Sequence, residues 1–228
     1  MLYRTFLLTF LLGFSLVACG VNTTDTNPNS QAETATDSDL NPETEAQKVV
    51  ALTSLTADII YRLDATKLIA IPGSRLLRKD DRFTDFPTVN QGNTPPDLEK
   101  IVALEPDLVI GAEGFSDQTL SKLENLGIKT IATNIDSWTS LKEVTKTLAS
   151  AIGSDPEPLL KEYDTYLPNQ NNEKSNLSTL VLVSRQPILA PNKNSWAGDL
   201  LSQFPVKNLA AQLQGSSPVG GYVTLSPE

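Results

Sequence analysis

Five side chains in this sequence have the chemistry to hold a large, flat and partly anionic molecule. Such a molecule is bound by aromatic surfaces together with a few fixed cations or hydrogen-bond donors. Trp138 and Trp196 offer aromatic surfaces, and Arg75 and Arg185 offer guanidinium groups that pair well with anions. Tyr222, in a glycine-flanked segment, is a further candidate. The competing interpretation is that the tryptophans and Tyr222 are packing residues and that the arginines are ordinary surface residues.

Side chains that are missing exclude several kinds of chemistry. The chain has no histidine, which removes histidine-ligated haem and the usual imidazole sites for zinc or manganese. Without histidine the common base–nucleophile pairs are absent too, and no nucleophile elbow, dinucleotide fingerprint or phosphate loop occurs. The adjacent Asp80 and Asp81 lie in a polar segment and are expected to face solvent. We therefore expect a binding protein without a resident cofactor or metal, rather than an enzyme.

The amino terminus has the pattern of an export signal. Arg4 precedes an apolar run over residues 6–17, which is shorter than the ~20 residues that a membrane-spanning helix needs. The run ends in Leu-Val-Ala-Cys-Gly, which resembles a bacterial lipobox, so residues 1–19 are interpreted as a lipoprotein signal peptide. Lipidation of Cys19, the one cysteine of the chain, would anchor an exported protein to a membrane. The alternative is a buried thiol inside an uncleaved helix.

A polar segment follows the signal. Residues 20–46 are almost free of large apolar side chains, so the segment is expected to be a disordered linker. A flexible chain of this length would place the folded part roughly 30 Å from the lipid. The net charge of -9 offers no basic surface for nucleic acid.

Alternating strand and helix patterns begin at Val49. Short β-branched or apolar runs predict strands at 49–52, 67–71, 107–110 and 129–133, with amphipathic helical stretches between them. One helical face carries Leu55 and Ile59, and Ser140 followed by Glu143 matches a capping box. Strands that are separated by helices imply a parallel sheet. Residues 47–150 are therefore predicted to form a doubly wound α/β lobe that binds ligand at the carboxyl ends of its strands.

The remaining residues predict a helical connection and a second lobe. Residues 151–177 include a predicted helix at 155–167, and residues 178–228 begin with a predicted strand at 178–184 and a helix at 196–204. One βαβ unit takes ~30 residues, so residues 178–228 hold fewer than two units and are expected to leave a sheet edge unpaired. The predicted fold class is α/β, with two Rossmann-like lobes joined by a helix and an incomplete second lobe.

Several segments resemble one protein family. Residues 49–60 (VVALTSLTADII), 96–110 (PDLEKIVALEPDLVI) and 126–130 (LGIKT) are similar, in order and spacing, to the ferric-siderophore/vitamin B12 periplasmic binding proteins. Residues 194–201 (NSWAGDLL), 207–210 (KNLA) and 222–228 (YVTLSPE) are similar as well. The resemblance covers nearly the whole chain after the linker.

The resemblance implies a function and a set of contacts. Family members hold ligand in a cleft between two lobes that a rigid helix joins, which here would fall within residues 140–167. They deliver the ligand to the permease of an ABC importer through one acidic residue on each lobe, and the matching positions are Glu99 and Glu228. The alternative for both residues is a solvated carboxylate at a helix start. We expect a monomeric, lipid-anchored protein outside the cytoplasmic membrane that captures a ferric siderophore or, alternatively, a corrinoid.

The sequence departs from the family at its end, since members continue beyond the block that contains Glu228. The chain therefore resembles a truncated member. A further interpretation is a fragment or interaction module that does not bind ligand.

The lipobox interpretation makes a direct prediction. Substitution Cys19→Ala removes the thiol that receives the lipid, so the precursor should accumulate unprocessed and without lipid. Metabolic labelling with radioactive palmitate checks this, and normal labelling of the variant would contradict the interpretation.

Overall fold

The computed structural model describes residues 45–92, 94–168, 177–215, 217 and 220–226. Cys19 and Glu228 lie outside these residues. The helices are α1 Ser54–Asp64, α2 Leu98–Ala103, α3 Asp117–Asn125, α4 Trp138–Ile152, α5 Glu157–Thr165 and α6 Trp196–Ser202. The strands are β1 Val49–Ala51, β2 Leu68–Ala70, β3 Leu108–Ala112, β4 Lys129–Thr133, β5 Ser178–Thr179, β6 Ser184–Arg185, β7 Ile188–Pro191, β8 Lys207–Asn208 and β9 Tyr222–Thr224. Within this part of the chain, none of the helices is both long and apolar enough to cross a bilayer.

The first four strands form one parallel sheet in the order β2-β1-β3-β4. The register pairs Val49 with Leu68 on one side and with Leu108 on the other. Strand β1 and most of β3 are buried, as is typical of parallel strands that are covered on both faces. The prediction of an α/β fold with a parallel sheet in the first lobe is thus confirmed.

Alternate residues of β1 and β3 enter two separate cores. On one face Val49 and Ile110 pack with Ile60 of α1 and Leu148 of α4. On the opposite face lies a smaller core of buried residues: Val50, Leu52, Ala70, Val89, Ile101, Val109, Leu120 and Leu123. Because successive side chains of a strand point to opposite faces, the continuous apolar runs supply both cores at once.

Helix α4 begins earlier than its predicted capping box. The cap is Ser137, whose side chain accepts from the Ser140 backbone N–H at 3.1 Å, and the Ser140 hydroxyl accepts from the Ser137 backbone N–H at 2.9 Å. The prediction of a Ser140–Glu143 capping box was wrong because Ser140 is the third residue of the helix, where it closes the box. The helix ends before Gly153, whose φ of 71° is in the left-handed region that is typical of a helix stop.

Two helices, rather than one continuous helix, lie between the halves of the chain. Pro156 occupies the amino-terminal cap of α5 and Pro158 its first turn, where a missing backbone N–H costs least. Leu159, Leu160 and Tyr163 of α5 are buried in the larger core of the first lobe. Helix α5 therefore packs back on the first lobe.

The second half has short strands of mixed direction. β5 pairs in parallel with β8, and β6, β7 and β9 form an antiparallel sheet. The predicted strand at 178–184 was wrong in its middle, since residues 180–183 belong to no strand and separate β5 from β6. Leu180, Leu182 and Val183 in this segment are exposed.

Gly111 of β3 makes a close contact on which the following turn depends. A Cβ at this position would lie 2.7 Å from Ser116 Oγ and 3.1 Å from Leu120 Cδ1. Substitution Gly111→Ala should therefore destabilise the fold by about 1–3 kcal/mol. Gly220→Ala is the matched control, since an added Cβ there meets nothing within 4 Å. Urea unfolding checks both variants, and equal midpoints would contradict the packing described for β3.

Candidate functional site

The carboxyl ends of the four parallel strands open onto one edge of the first sheet, which we name the carboxyl edge. It is formed by the segments that follow β1, β2, β3 and β4. Strand β1 lies between β2 and β3, so the chain changes direction across the sheet at β1 and β3. Ligands of open α/β sheets bind beside such a switch point, in the crevice that the flanking loops leave. The geometry therefore points to the carboxyl edge as the candidate site.

The turn after β3 is held by a dense set of hydrogen bonds. Ser116 Oγ accepts from the Ala112 backbone N–H at 3.1 Å, and Asp117 Oδ1 accepts from the Gly114 backbone N–H at 2.9 Å. Gly114 has a φ of 78°, which favours glycine. Between these fixed points Phe115 is 96% exposed. A rigid turn thus presents an aromatic ring to solvent at the switch point.

The segment after β2 carries Arg75 and Leu76, both exposed. It is tied to α1 by Arg82, whose Nη2 donates to Asp58 Oδ1 at 2.9 Å and to Asp80 Oδ2 at 2.7 Å. The Arg82 guanidinium also lies 5.4 Å from the centre of the Tyr61 ring. Although Arg82 is partly exposed, it thus has both carboxylate and aromatic partners.

The pKa values of Asp80 and Arg82 are shifted in the directions that favour their ion pair. Hydrogen bonds from Arg82 lower the pKa of the Asp80 carboxyl, and the hydrogen bond with Asp80 raises the pKa of the Arg82 guanidinium. The pair therefore stays ionised at neutral pH and keeps the segment after β2 in place.

Three apolar side chains on the carboxyl edge are exposed, and we name them the rim: Leu55 (43%), Leu76 (74%) and Phe115 (96%). They follow the neighbouring strands β1, β2 and β3, and strands two apart in a sheet are separated by about 10 Å. The turn holds Phe115 off the sheet, and Leu55 lies in the first turn of α1, beyond the end of β1, so both side chains are exposed.

The two tryptophans meet at this end of the molecule. Trp138 begins α4 and Trp196 begins α6, and their rings stack with centroids 6.2 Å apart at 24°. Trp138 also packs edge-on against Tyr163, 6.0 Å away, and burial raises the pKa of the Tyr163 hydroxyl. The sequence placed both tryptophans after strands but contained no signal that they touch each other.

A carboxylate from the second half joins this contact. The Trp138 backbone N–H donates to Asp199 Oδ2 at 2.7 Å, across 61 residues of chain. The indole Nε1–H of Trp138 is buried and has no hydrogen-bond partner among the described residues. Asp199 was not predicted as a functional residue, since its role depends on a contact between distant parts of the chain.

Arg185 and Tyr222 lie on the antiparallel sheet of the second half. Arg185 ends β6, is exposed, and lines a cavity of about 390 Å³ with Leu182, Val183, Ser184 and Ile188. Tyr222 begins β9, is half-buried, and pairs with Pro191 of β7. The structure thus brings Trp138 and Trp196 together, while Arg75 and Arg185 lie on different halves.

Glu99 lies in the first turn of α2 and is exposed. It borders an apolar groove of about 370 Å³ with Leu98, Val102, Ala103 and Leu126. Across the described ranges, no group of three or more acidic or cysteine side chains is arranged to hold a metal ion.

A family model described as periplasmic binding protein matches residues 49–221. The chain belongs to the periplasmic binding protein family. Members are solute-binding proteins rather than enzymes, and membership implies an extracytoplasmic location. The matched residues include the parallel sheet of the first lobe and the second half as far as Gly221, and β9 lies just beyond them.

Individual relatives of this periplasmic binding protein are distant. It is 27% identical over 205 residues to a vitamin B12-binding protein of Vibrio campbellii, covering 80% of this chain and 69% of the relative. Among solved structures it is similar to the periplasmic vitamin B12-binding protein of Vibrio cholerae, with TM-score 0.60, 20% identity, and coverage of 80% of this chain and 71% of that chain. An ABC transporter substrate-binding protein of Listeria monocytogenes gives TM-score 0.62 at 23% identity, with coverage of 79% and 69%. These structural likenesses support the two-lobed fold.

The segment after β2 gives a testable prediction. Arg82→Ala removes two carboxylate partners and two ring contacts, and should lower the free energy of unfolding by about 1 kcal/mol, since the side chain is partly exposed. Arg78→Ala is the control, because Arg78 is exposed and its side chain has no partner among the described residues, so its effect should stay within about 0.5 kcal/mol. Thermal unfolding of both variants checks this, and a larger loss in Arg78→Ala would contradict it.

Proposed function

We propose that this periplasmic binding protein captures a corrinoid in a cleft at the carboxyl edge and delivers it to an ABC importer. The observation that carries the proposal is the rim, three exposed apolar side chains on the loops of neighbouring parallel strands. Large exposed apolar surfaces on soluble proteins mark binding sites. The vitamin B12-binding relative from Vibrio campbellii supports the same class of ligand.

The geometry suits a large ligand with one apolar face. Phe115 gives a flat ring on a turn whose backbone is held by hydrogen bonds, so little backbone entropy is lost on binding. Arg75, on the segment after β2, adds a cation near the rim that can pair with a phosphate or carboxylate of the ligand. The second half would close the cleft from the side of Trp196.

A ferric siderophore is the second candidate, and the charge of the segment after β2 favours it. Arg75, Arg78 and Lys79 are all exposed, and their side chains have no partner among the described residues. Three unpaired cations suit a strongly anionic chelate better than a corrinoid. The two candidates therefore differ in which feature dominates binding, the rim or the cations.

Delivery would use the first turn of α2. In this proposal Glu99 meets a cation of the permease, and the apolar groove beside it receives a neighbouring aliphatic side chain. Glu228, the proposed contact of the second half, lies outside the described residues. Lipidated Cys19 would keep the protein, as a monomer, close to the membrane that holds the permease.

Calorimetric titration of the detergent-purified full chain tests the ligand class. Cyanocobalamin, a ferric catecholate, a ferric hydroxamate and ferric citrate are titrated in turn. We expect saturable binding of cyanocobalamin, weakened about tenfold or more by Phe115→Ala because the ring face is buried on binding. Leu126→Ala is the matched control, since Leu126 is also exposed (62%) but lies before β4, at the opposite edge of the sheet.

The outcomes separate the two candidates. Binding of a ferric chelate alone, weakened by Arg75→Ala more than by Phe115→Ala, would support the siderophore alternative. Binding of none of the four compounds by a chain with a native circular-dichroism spectrum would overturn the proposed function. Unchanged cyanocobalamin affinity in Phe115→Ala would show that the rim does not contact the ligand.

A further inference from the structure

We infer that Asp199 is a positioning residue, which holds the two halves of the molecule at a fixed angle through the first turn of α4. The inference concerns the unliganded protein and is independent of which ligand binds. Its consequence for the cleft rests on the proposed function.

The hydrogen bond of Asp199 satisfies a donor that a helix cannot satisfy itself. The first N–H groups of a helix have no acceptor within the helix. In α4, Ser137 takes the N–H of Ser140, and Asp199 takes the N–H of Trp138 from the second half at 2.7 Å. A carboxylate at the positive end of a helix is further favoured by the helix dipole. The two halves therefore share the amino-terminal cap of α4.

The aromatic stack lies beside this hydrogen bond and depends on it. Trp138 and Trp196 stack at 6.2 Å, yet the Trp138 Nε1–H is buried there without a partner among the described residues. A buried donor without an acceptor costs ~1–3 kcal/mol, which opposes the stack. The contact from Asp199 to the Trp138 backbone is a charge-assisted bond that offsets this cost at the same residue.

Hydrogen bonds fix helix α6 within the second half, so Asp199 moves together with that half. Ser195 Oγ accepts from the Gly198 backbone N–H at 3.1 Å and donates to Asn192 O at 2.9 Å. The Asn192 backbone N–H in turn donates to Gly221 O at 2.9 Å, beside β9. A shift of Asp199 relative to α4 therefore requires a shift of β7 and β9 as well.

These contacts set the width of the proposed cleft. The rim lies on the first lobe, and Arg185 and Tyr222 lie on the sheet to which α6 is fixed. Loss of the Asp199 contact would leave the covalent connection through α5 to set the angle between the halves. Because Trp138 and Trp196 are the two tryptophans of the chain, tryptophan spectra report this contact directly.

Amide hydrogen exchange of the full chain, measured by NMR without ligand, tests the inference. A first-turn amide ordinarily exchanges fast, so slow exchange at Trp138 is a signature of the Asp199 contact. We expect Asp199→Ala to speed exchange of the Trp138 amide about tenfold or more, and to abolish the coupled-indole circular dichroism signal. Asp199→Asn keeps an oxygen acceptor and should restore part of both.

The matched control is Asp97→Ala. Asp97 Oδ1 accepts from the Lys100 backbone N–H at 3.1 Å within the first lobe, so the variant should speed exchange at Lys100 and leave the tryptophan signals unchanged. If Asp199→Ala does not fold, Asp199→Asn is used instead, and we expect a smaller increase in the exchange rate of the Trp138 amide. Unchanged Trp138 exchange and an intact coupled-indole signal in the folded variants would overturn the inference, whatever the ligand titrations show.

Discussion

Parallel pairing of β1 between β2 and β3 is the constraint on which the rest of the structure depends. Because the strands are parallel, the chain leaves β1, β2 and β3 at the same edge of the sheet. The residues that follow these strands lie beyond the sheet and are not covered by it. The two cores on opposite faces hold these strands in place, since Val49 and Val50 enter different cores from successive positions. Exposure of the rim is therefore a consequence of a well-buried sheet, and the turn around Gly114 and the Arg82 ion pairs fix its geometry.

The contact between α4 and α6 gives the tryptophans a different role from the one that residue type alone suggests. An aromatic ring at a strand end is a natural ligand platform, yet Trp138 is already packed between Trp196 and Tyr163. A ligand that bound beside Trp138 would therefore also affect the contact between the halves. Quenching of tryptophan fluorescence by a ligand would report either event, so calorimetry is the cleaner measure of binding.

Much of the first lobe could be predicted because its signals are local. The strand at Lys129–Thr133 and the glycine stop at Gly153 follow from short runs and single residues. The site was less accessible to prediction. The exposure of Phe115 depends on hydrogen bonds that the Ser116 and Asp117 side chains accept from backbone N–H groups, and only the folded turn creates them. Its position between a strand end and a helix start was nevertheless a usable signal. The role of Asp199 depends on Trp138, which is distant in sequence, and the break at 180–183 depends on which strands pair. Hydrophobic periodicity carries no information about either.

The most direct test of the account is to locate the metal of a bound ligand. Crystals grown with cyanocobalamin, measured at the cobalt absorption edge, give an anomalous peak at the metal position. We expect one peak in the cleft at the carboxyl edge, with the corrin ring against Phe115 and with Arg75 beside a polar group of the ligand. A peak on another surface, or well-ordered crystals without any peak at saturating cyanocobalamin, would contradict it.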